Sequence, residues 1–444
     1  MLFRSLHAMR EEGIDPYEKQ ACLPLWERTY ANYAQRVRET IDAVKPGLPV
    51  FHNGGHIRRG RRDLARMNSH LELESLPTGG WGYDHFPLSA KYAQQLDMDF
   101  LGMTGKFHTT WGEFGGYKHP NALRYETSLS IAHGARCSIG DQLHPEGRMD
   151  PATYHLIGEA YKEVEEKEAW CTDVTNLADI ALLSVEAIVG QGRESADNRT
   201  GASDTGAIRM LLEGNYLFDV VDLESDWTKY KVLILPDCVT ISDSVAKLLD
   251  NFITHGGKVL ATGTSGLNTN QTEFAIDLGV RYQGPSPYNP EYFHPDFELK
   301  NLSPASFVFY SQGQLIEVGD GGSILAHREF PYFNREGFFF SSHQHTPSSL
   351  KNSGPGMVES DNGIYIAWNV FEEYSNKGSL VLKETINHAL DHLLAQHKTI
   401  ETNLAAQGIV TLTKQAKKKR YINHLLYATP VKRGQGIEVI EDIV

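Results

Sequence analysis

The run Leu71-Glu72-Leu73-Glu74 sets two carboxylates two positions apart. In an extended strand alternate side chains share a face, so Glu72 and Glu74 point one way and Leu71 and Leu73 the other. Carboxyl groups held together can carry general acid and general base roles. They are ordinary on a solvated face and costly on one that meets an apolar interior. Glu74 lies nearest the C-terminal end of the run, placed for acid/base work. Glu72 lies two residues deeper, placed to hold a neighbouring cation or Glu74 itself. The plainer reading is a solvent-facing edge strand with two inert glutamates.

Further candidates follow other apolar runs. His52 and Asn53 close "LPVFHN", and both can hydrogen-bond hydroxyl groups. Trp81 and Trp111 stand in segments after such runs, where a ring can stack on the apolar face of a ligand. Lys106, His108 and Glu113 share the segment of Trp111, and Asp141 and His144 follow "ARCSIG". Each has a structural alternative: a core histidine, a turn-forming asparagine, core tryptophans, a capping aspartate. His343 and His345 form an H-x-H with no third ligand nearby, so no metal site is expected. No G-x-G-x-x-G follows a strand and there is no P-loop, so no cofactor is expected.

The elements that must position these residues alternate. A long amphipathic helix over 18–44 precedes strands at 49–53, 70–75, 98–105 and 135–140, with helices over 87–96, 121–134 and 150–170. Alternating strand and helix predicts a parallel sheet. In a (β/α) barrel the C-terminal strand ends are where sites are built. Four strands make half a barrel. A second α/β region has strands at 179–190, 216–225, 230–238 and 258–266, with helices between them. Beyond 281 the strands are short and Pro/Gly-punctuated, and the last stretch from 408 reads as two or three strands.

The bulk composition narrows the partners. A net charge of −14 argues against nucleic acid and against an anionic membrane, and is compatible with a neutral ligand. The four cysteines show no paired spacing, which favours a reducing compartment. Charge within a few residues of Met1 leaves no signal-peptide core, and no apolar run reaches the ~18 residues of a spanning helix. The expectation is a soluble, cytoplasmic protein.

"KYKVLILPDCVTISDSVAKLLDNFITHGGKVLATG" resembles the trimerisation domain of β-galactosidase-type glycoside hydrolases, itself similar to class I glutamine amidotransferases. The amidotransferase cysteine elbow is replaced by "ATGTSGL", so that chemistry lacks its nucleophile. "FHNGG", "LELESLPTGGWGYDHFP", "GMTGKFHTTWGEFGG" and "IGDQLHP" resemble the α-L-fucosidase family 151, and "YINHLLYATPVKRGQGIEVIEDI" resembles the start of its β-sandwich. The resemblance implies the C-terminal half of a TIM (β/α)8 barrel over 1–172. It also implies a flavodoxin-like, class I amidotransferase-like trimerisation domain over 173–398 and a partial β-sandwich over 399–444. It implies a homotrimer acting on an oligosaccharide by a two-carboxylate mechanism. Glu74 is then the acid/base and Glu72 its support. His52, Asn53, Trp81, Lys106, His108, Trp111, Glu113, Asp141 and His144 are the sugar contacts. The family's nucleophilic aspartate belongs to a fourth barrel strand that the resemblance places before residue 1, so a fragment or split-gene product is expected, inactive alone. The alternatives are a non-catalytic trimerising or sugar-binding remnant and a β-galactosidase. The second is opposed by Lys106, which stands in the neighbourhood where those enzymes carry their nucleophilic glutamate.

Overall fold

The structure, a computed structural model, describes residues 2–53, 57–189, 201–434 and 436–439. Gly54, Gly55 and the final 440–444 stretch of the expected sandwich therefore lie outside the described residues. The chain opens with helices α1 (Leu2–Glu11), α2 (Lys19–Val44) and the short α3 (Arg62–Ala65). Three strand–helix units follow: β1 (Leu71–Glu74) and α4 (His85–Ala93), β2 (Phe100–Gly105) and α5 (Pro120–Ala132), β3 (Arg136–Gly140) and α6 (Pro151–Cys171). The strands form a parallel sheet in the order β1-β2-β3. Local chemistry starts the helices. Asp150 caps α6 by accepting the Ala152 N–H at 3.0 Å, with Pro151 in the first turn, and His119 caps α5 through the Asn121 N–H at 3.2 Å.

The strand expected at 49–53 is not one. Residues 48–53 form no regular element, and their backbone link to the neighbouring segment is the Ser69 N–H on the Val50 carbonyl at 2.8 Å. One such contact is too little for a ladder, which needs repeated pairing along a neighbouring strand.

The second unit is a nine-stranded mixed sheet. Its parallel half runs Gly363–Ile366, Lys258–Thr262, Val232–Leu235, Ile180–Leu183, Phe218–Val221. Antiparallel strands Ser348–Ser360, Ser323–Pro331, Glu291–Pro295 and Phe307–Phe309 extend it. The run 179–190, expected as one strand, divides at Ser184 into a strand and the helix Val185–Val189. The buried Asp204 carboxylate takes both the Ser184 hydroxyl (2.6 Å) and the Val185 N–H (2.9 Å), which turns the chain there. At the "ATGTSGL" turn Ser265 is buried, its hydroxyl accepting the Val239 N–H at 2.9 Å, so no exposed nucleophile is offered.

Among the described residues the last stretch holds four strands rather than two or three. Ile409–Gln415 pairs with Arg420–Leu426, and Pro430–Arg433 with Gly436–Val439. Ile409–Gln415 also pairs with Thr175–Asn176, which ties the end of the chain to the junction after α6.

One apolar core joins the first two units. Leu71, Leu73, Phe86, Ala90 and Tyr92 pack in the same cluster as Ile180, Leu182, Phe218 and Val220. The arginine-rich segment before β1 stitches the seam. Arg59 is buried, donating to Ser184 Oγ at 2.8 Å and pairing with Glu186 at 2.7 Å and Asp204 at 3.5 Å. Arg62 grips both oxygens of buried Asp222, at 2.8 and 2.6 Å.

Candidate active site

The sheet register decides which way the glutamates point. Glu72 stands abreast of Leu101 and then Arg136; Glu74 stands abreast of Met103 and then Ser138. The opposite face carries Leu71, Leu73 and Gly102. A Cβ on Gly102 would lie 2.3 Å from Ser130 Oγ and 2.8 Å from the Phe86 ring, so that face is the one seated on the helices. Glu72 and Glu74 therefore face away from the helices, on the side that is the lumen of a closed barrel. Glu74 ends β1, at the rim. Glu72 is one layer down, accepting from His70 Nε2 at 3.0 Å.

The rim is built by the segments that follow each strand. After β1, Trp81 meets His85 edge-on at 5.1 Å, and His85 Nδ1 lies 3.2 Å from Ser75 Oγ. After β2, the buried Lys106 ammonium donates to the carbonyls of Glu113 (3.3 Å) and Gly116 (3.2 Å), and sits 4.6 Å from the Tyr117 ring centre. Glu113 folds back on its own segment, accepting the Thr109 N–H at 2.9 Å, the Thr109 hydroxyl at 2.8 Å and the His108 N–H. Burial raises its pKa, but those donors outweigh burial and hold it below the usual carboxylate value. A carboxylate so engaged braces its loop. Trp111 lies across Gly140 at the end of β3, where a Cβ would come within 2.9 Å of its ring.

Lys106, Tyr117, Asp141, His144, Arg148 and Asp150 line a cleft of about 420 Å³ over the ends of β2 and β3. Asp141 accepts the Gln142 N–H at 2.7 Å and His144 accepts the Glu146 N–H at 3.3 Å. Asp150 bonds the Tyr117 hydroxyl. That bond and the one from Thr153 hold the Asp150 carboxyl below its usual pKa, and Asp150 in turn raises the Tyr117 phenol. The arrangement offers carboxylates, an ammonium and aromatic faces around a polar hollow. That set can hydrogen-bond a polyhydroxylated ring.

His52 is turned elsewhere. Its ring meets Tyr33 of α2 edge-on at 5.9 Å, while its neighbour Phe51 lies 5.7 Å from His70, on the glutamate side. Burial and then Arg38 push the His52 pKa down. His345 packs between Tyr292 and Tyr310 in the second unit, and the described residues contain no group of three or more His, Cys, Asp or Glu able to hold a metal.

Residues 209–279 match the β-galactosidase trimerisation domain. Over 99% of its length the chain is 60% identical to a solved α-L-fucosidase, isoenzyme 2 from Paenibacillus thiaminolyticus, with a TM-score of 0.93. The chain is α-L-fucosidase-like. It spans 66% of that enzyme's chain. A β-galactosidase from Bacillus circulans sp. alkalophilus shares the fold at 14% identity, with a TM-score of 0.66 and coverage of 95% of this chain and 68% of the other. A catalytic mutant of a β-galactosidase from G. stearothermophilus does so at 13% identity, with a TM-score of 0.64 and coverage of 90% and 61%. No curated protein matches the chain. No helix among the described residues is long and apolar enough to cross a membrane.

The sequence reading of this α-L-fucosidase-like chain missed Tyr117, Arg148 and Asp150 as cleft residues. The signal lay in Asp150 and its neighbours: a capping aspartate at the mouth of a strand-to-helix loop has a second carboxylate oxygen to spend on the site.

Proposed function

We propose that this chain carries the acid/base side of a glycoside hydrolase that removes terminal L-fucose from oligosaccharides. The observation that carries the proposal is the 60% identity to an α-L-fucosidase over 99% of the chain. The rim geometry supports it. Glu74 at the end of β1 protonates the leaving oxygen and later activates water, with Glu72 and His70 beneath it. Trp81 and Trp111 offer stacking faces, and Lys106, His108, Glu113, Asp141 and His144 hold or contact the ring, with Asn53 at the margin. His52 acts through packing on α2. The Paenibacillus enzyme extends beyond the part this chain covers, and we place the nucleophilic carboxylate in that further part. The functional units are the half-barrel 1–172, the trimerisation unit 173–398 and the start of a sandwich at 399–444, assembled as a homotrimer in the cytoplasm.

The test is hydrolysis of an aryl α-L-fucoside. Residues 1–444 alone are expected to be inert, and to turn over when co-expressed with the part of the Paenibacillus enzyme they do not cover. Glu74→Gln in that assembly is expected to lose about a hundredfold or more in kcat. Unchanged turnover would remove Glu74 from the mechanism, and activity of the chain alone would refute an external nucleophile. Light scattering checks the trimer; a clean monomer refutes it.

A further inference from the structure

The hairpin Pro430–Arg433/Gly436–Val439 returns to the rim of the half-barrel, and one of its side chains is buried there. Glu438 is 3% exposed. Its Oε1 accepts the N–H of His119 at 2.6 Å; its Oε2 lies 3.6 Å from His108 Nε2 and 3.5 Å from Arg433 Nε. His108 and His119 open and close one loop, the segment after β2 that presents Trp111 and Glu113. The base of that loop is separately tied, Lys118 N–H to the Lys106 carbonyl at 2.9 Å and Lys106 N–H to the Gly140 carbonyl at 3.0 Å. The hairpin backbone itself is pressed onto the neighbouring segment after β1. A Cβ on Gly436 would lie 2.3 Å from the Thr78 carbonyl, and the Val439 N–H donates to the Tyr83 hydroxyl at 3.1 Å.

A carboxylate removed from water needs partners, and among the described residues the hydrogen-bond and ion-pair partners of Glu438 other than Arg433 belong to that loop. The His119 amide at the cap of α5 is a fixed donor, and the electropositive helix start favours an anion. His108 is oriented from the same carboxylate, with its Nε2 edge turned to Oε2 and its Nδ1 edge left on the other side of the ring. We propose that Glu438 is a positioning residue of the sugar site. From the far end of the chain it clasps both ends of the loop 106–119, and so sets where His108 and Trp111 meet the ligand. The statement about the ligand rests on the fucosidase reading; the clasp does not.

Amide hydrogen exchange on the full chain, and L-fucose binding followed by Trp fluorescence in its assembly with the co-expressed remainder of the Paenibacillus enzyme, separate the two. Glu438→Ala is expected to raise exchange across 107–118 about tenfold while Val232–Leu235 keeps its rate, and to weaken L-fucose binding about fivefold or more. Glu438→Gln keeps an acceptor for the His119 N–H and is expected to fall between wild type and Glu438→Ala in both measurements, which a global loss of fold would not produce. Unchanged exchange in 107–118 overturns the clasp. A loosened loop with unchanged L-fucose affinity overturns the positioning role. A wild-type assembly that binds no L-fucose counts against the fucosidase reading, and the exchange result then decides the clasp alone.

Discussion

Replacing Arg62 with Met is the sharpest test of how the half-barrel is fixed to the second unit. Asp222 has 1% of its side-chain surface exposed, and its two oxygens meet Arg62 at 2.8 and 2.6 Å. Burial raises the Asp222 pKa; hydrogen bonds from Arg62, Ser225 and Tyr92 outweigh it and leave the carboxyl below its usual value. Arg62→Met keeps the aliphatic bulk and leaves the carboxylate only the neutral donors Ser225, Tyr92 and the Glu224 N–H. Breaking one partner from such a pair costs about 3–5 kcal/mol. With a urea dependence of about 2 kcal/mol per molar, the midpoint should fall by roughly 1.5–2.5 M at pH 7. The sign with pH follows. Because the folded pKa is depressed, wild-type Asp222 contributes stability above the ordinary carboxylate pKa, and that stability is lost as pH falls through the folded value. In Arg62→Met the carboxyl takes a proton more readily, so the deficit against wild type shrinks on acidification. Arg62→Met with Asp222→Asn should recover most of the loss. A drop under about 0.5 M, the size expected of an exposed ion pair, would refute the reasoning.

Two further outcomes follow from packing and burial. Gly206 in the helix Ala202–Glu213 has no room for a side chain, since a Cβ would lie 1.8 Å from the Phe371 carbonyl oxygen; Gly206→Ala should cost about 1–3 kcal/mol in urea unfolding, and a neutral result would contradict the contact. Burial pushes Lys91 down to about 8, with Asp219 opposing it. Between that value and about 10.4 the unfolded chain holds a proton the folded one lacks, so unfolding free energy should rise by up to about 3 kcal/mol across the window. Lys91→Met should flatten the rise, and an identical pH slope in both proteins would refute the assignment.

The parts of the fold visible in the sequence were those written in local period. Leu71-Glu72-Leu73-Glu74 declared its faces by alternation, and the register across β2 and β3 agrees with it. "ADIALLSVEAIVG" is apolar throughout, so nothing local marks the turn at Ser184; its cause, Asp204, lies twenty positions away. The stretch at 49–53 has strand composition but not the repeated pairing a strand requires. Nothing local marks the arginines of "HIRRGRR" as a seam, because their partners, Ser184, Asp204 and Asp222, are 125 to 160 positions distant. At the site, strand-end residues were legible from the barrel rule alone. Glu438 was not, because its role arises only where a C-terminal hairpin crosses back to the first unit.

The seam made by Arg59 and Arg62 also bears on modular exchange. Each arginine lies on one side of a unit boundary and its carboxylates on the other. A chimera that takes residues 57–62 from one parent and 180–222 from another keeps charges at both ends only when the two parents agree at all of these positions. Recombination between such units is then constrained less by where the linker falls than by whether a short basic segment travels with the sheet it plugs into.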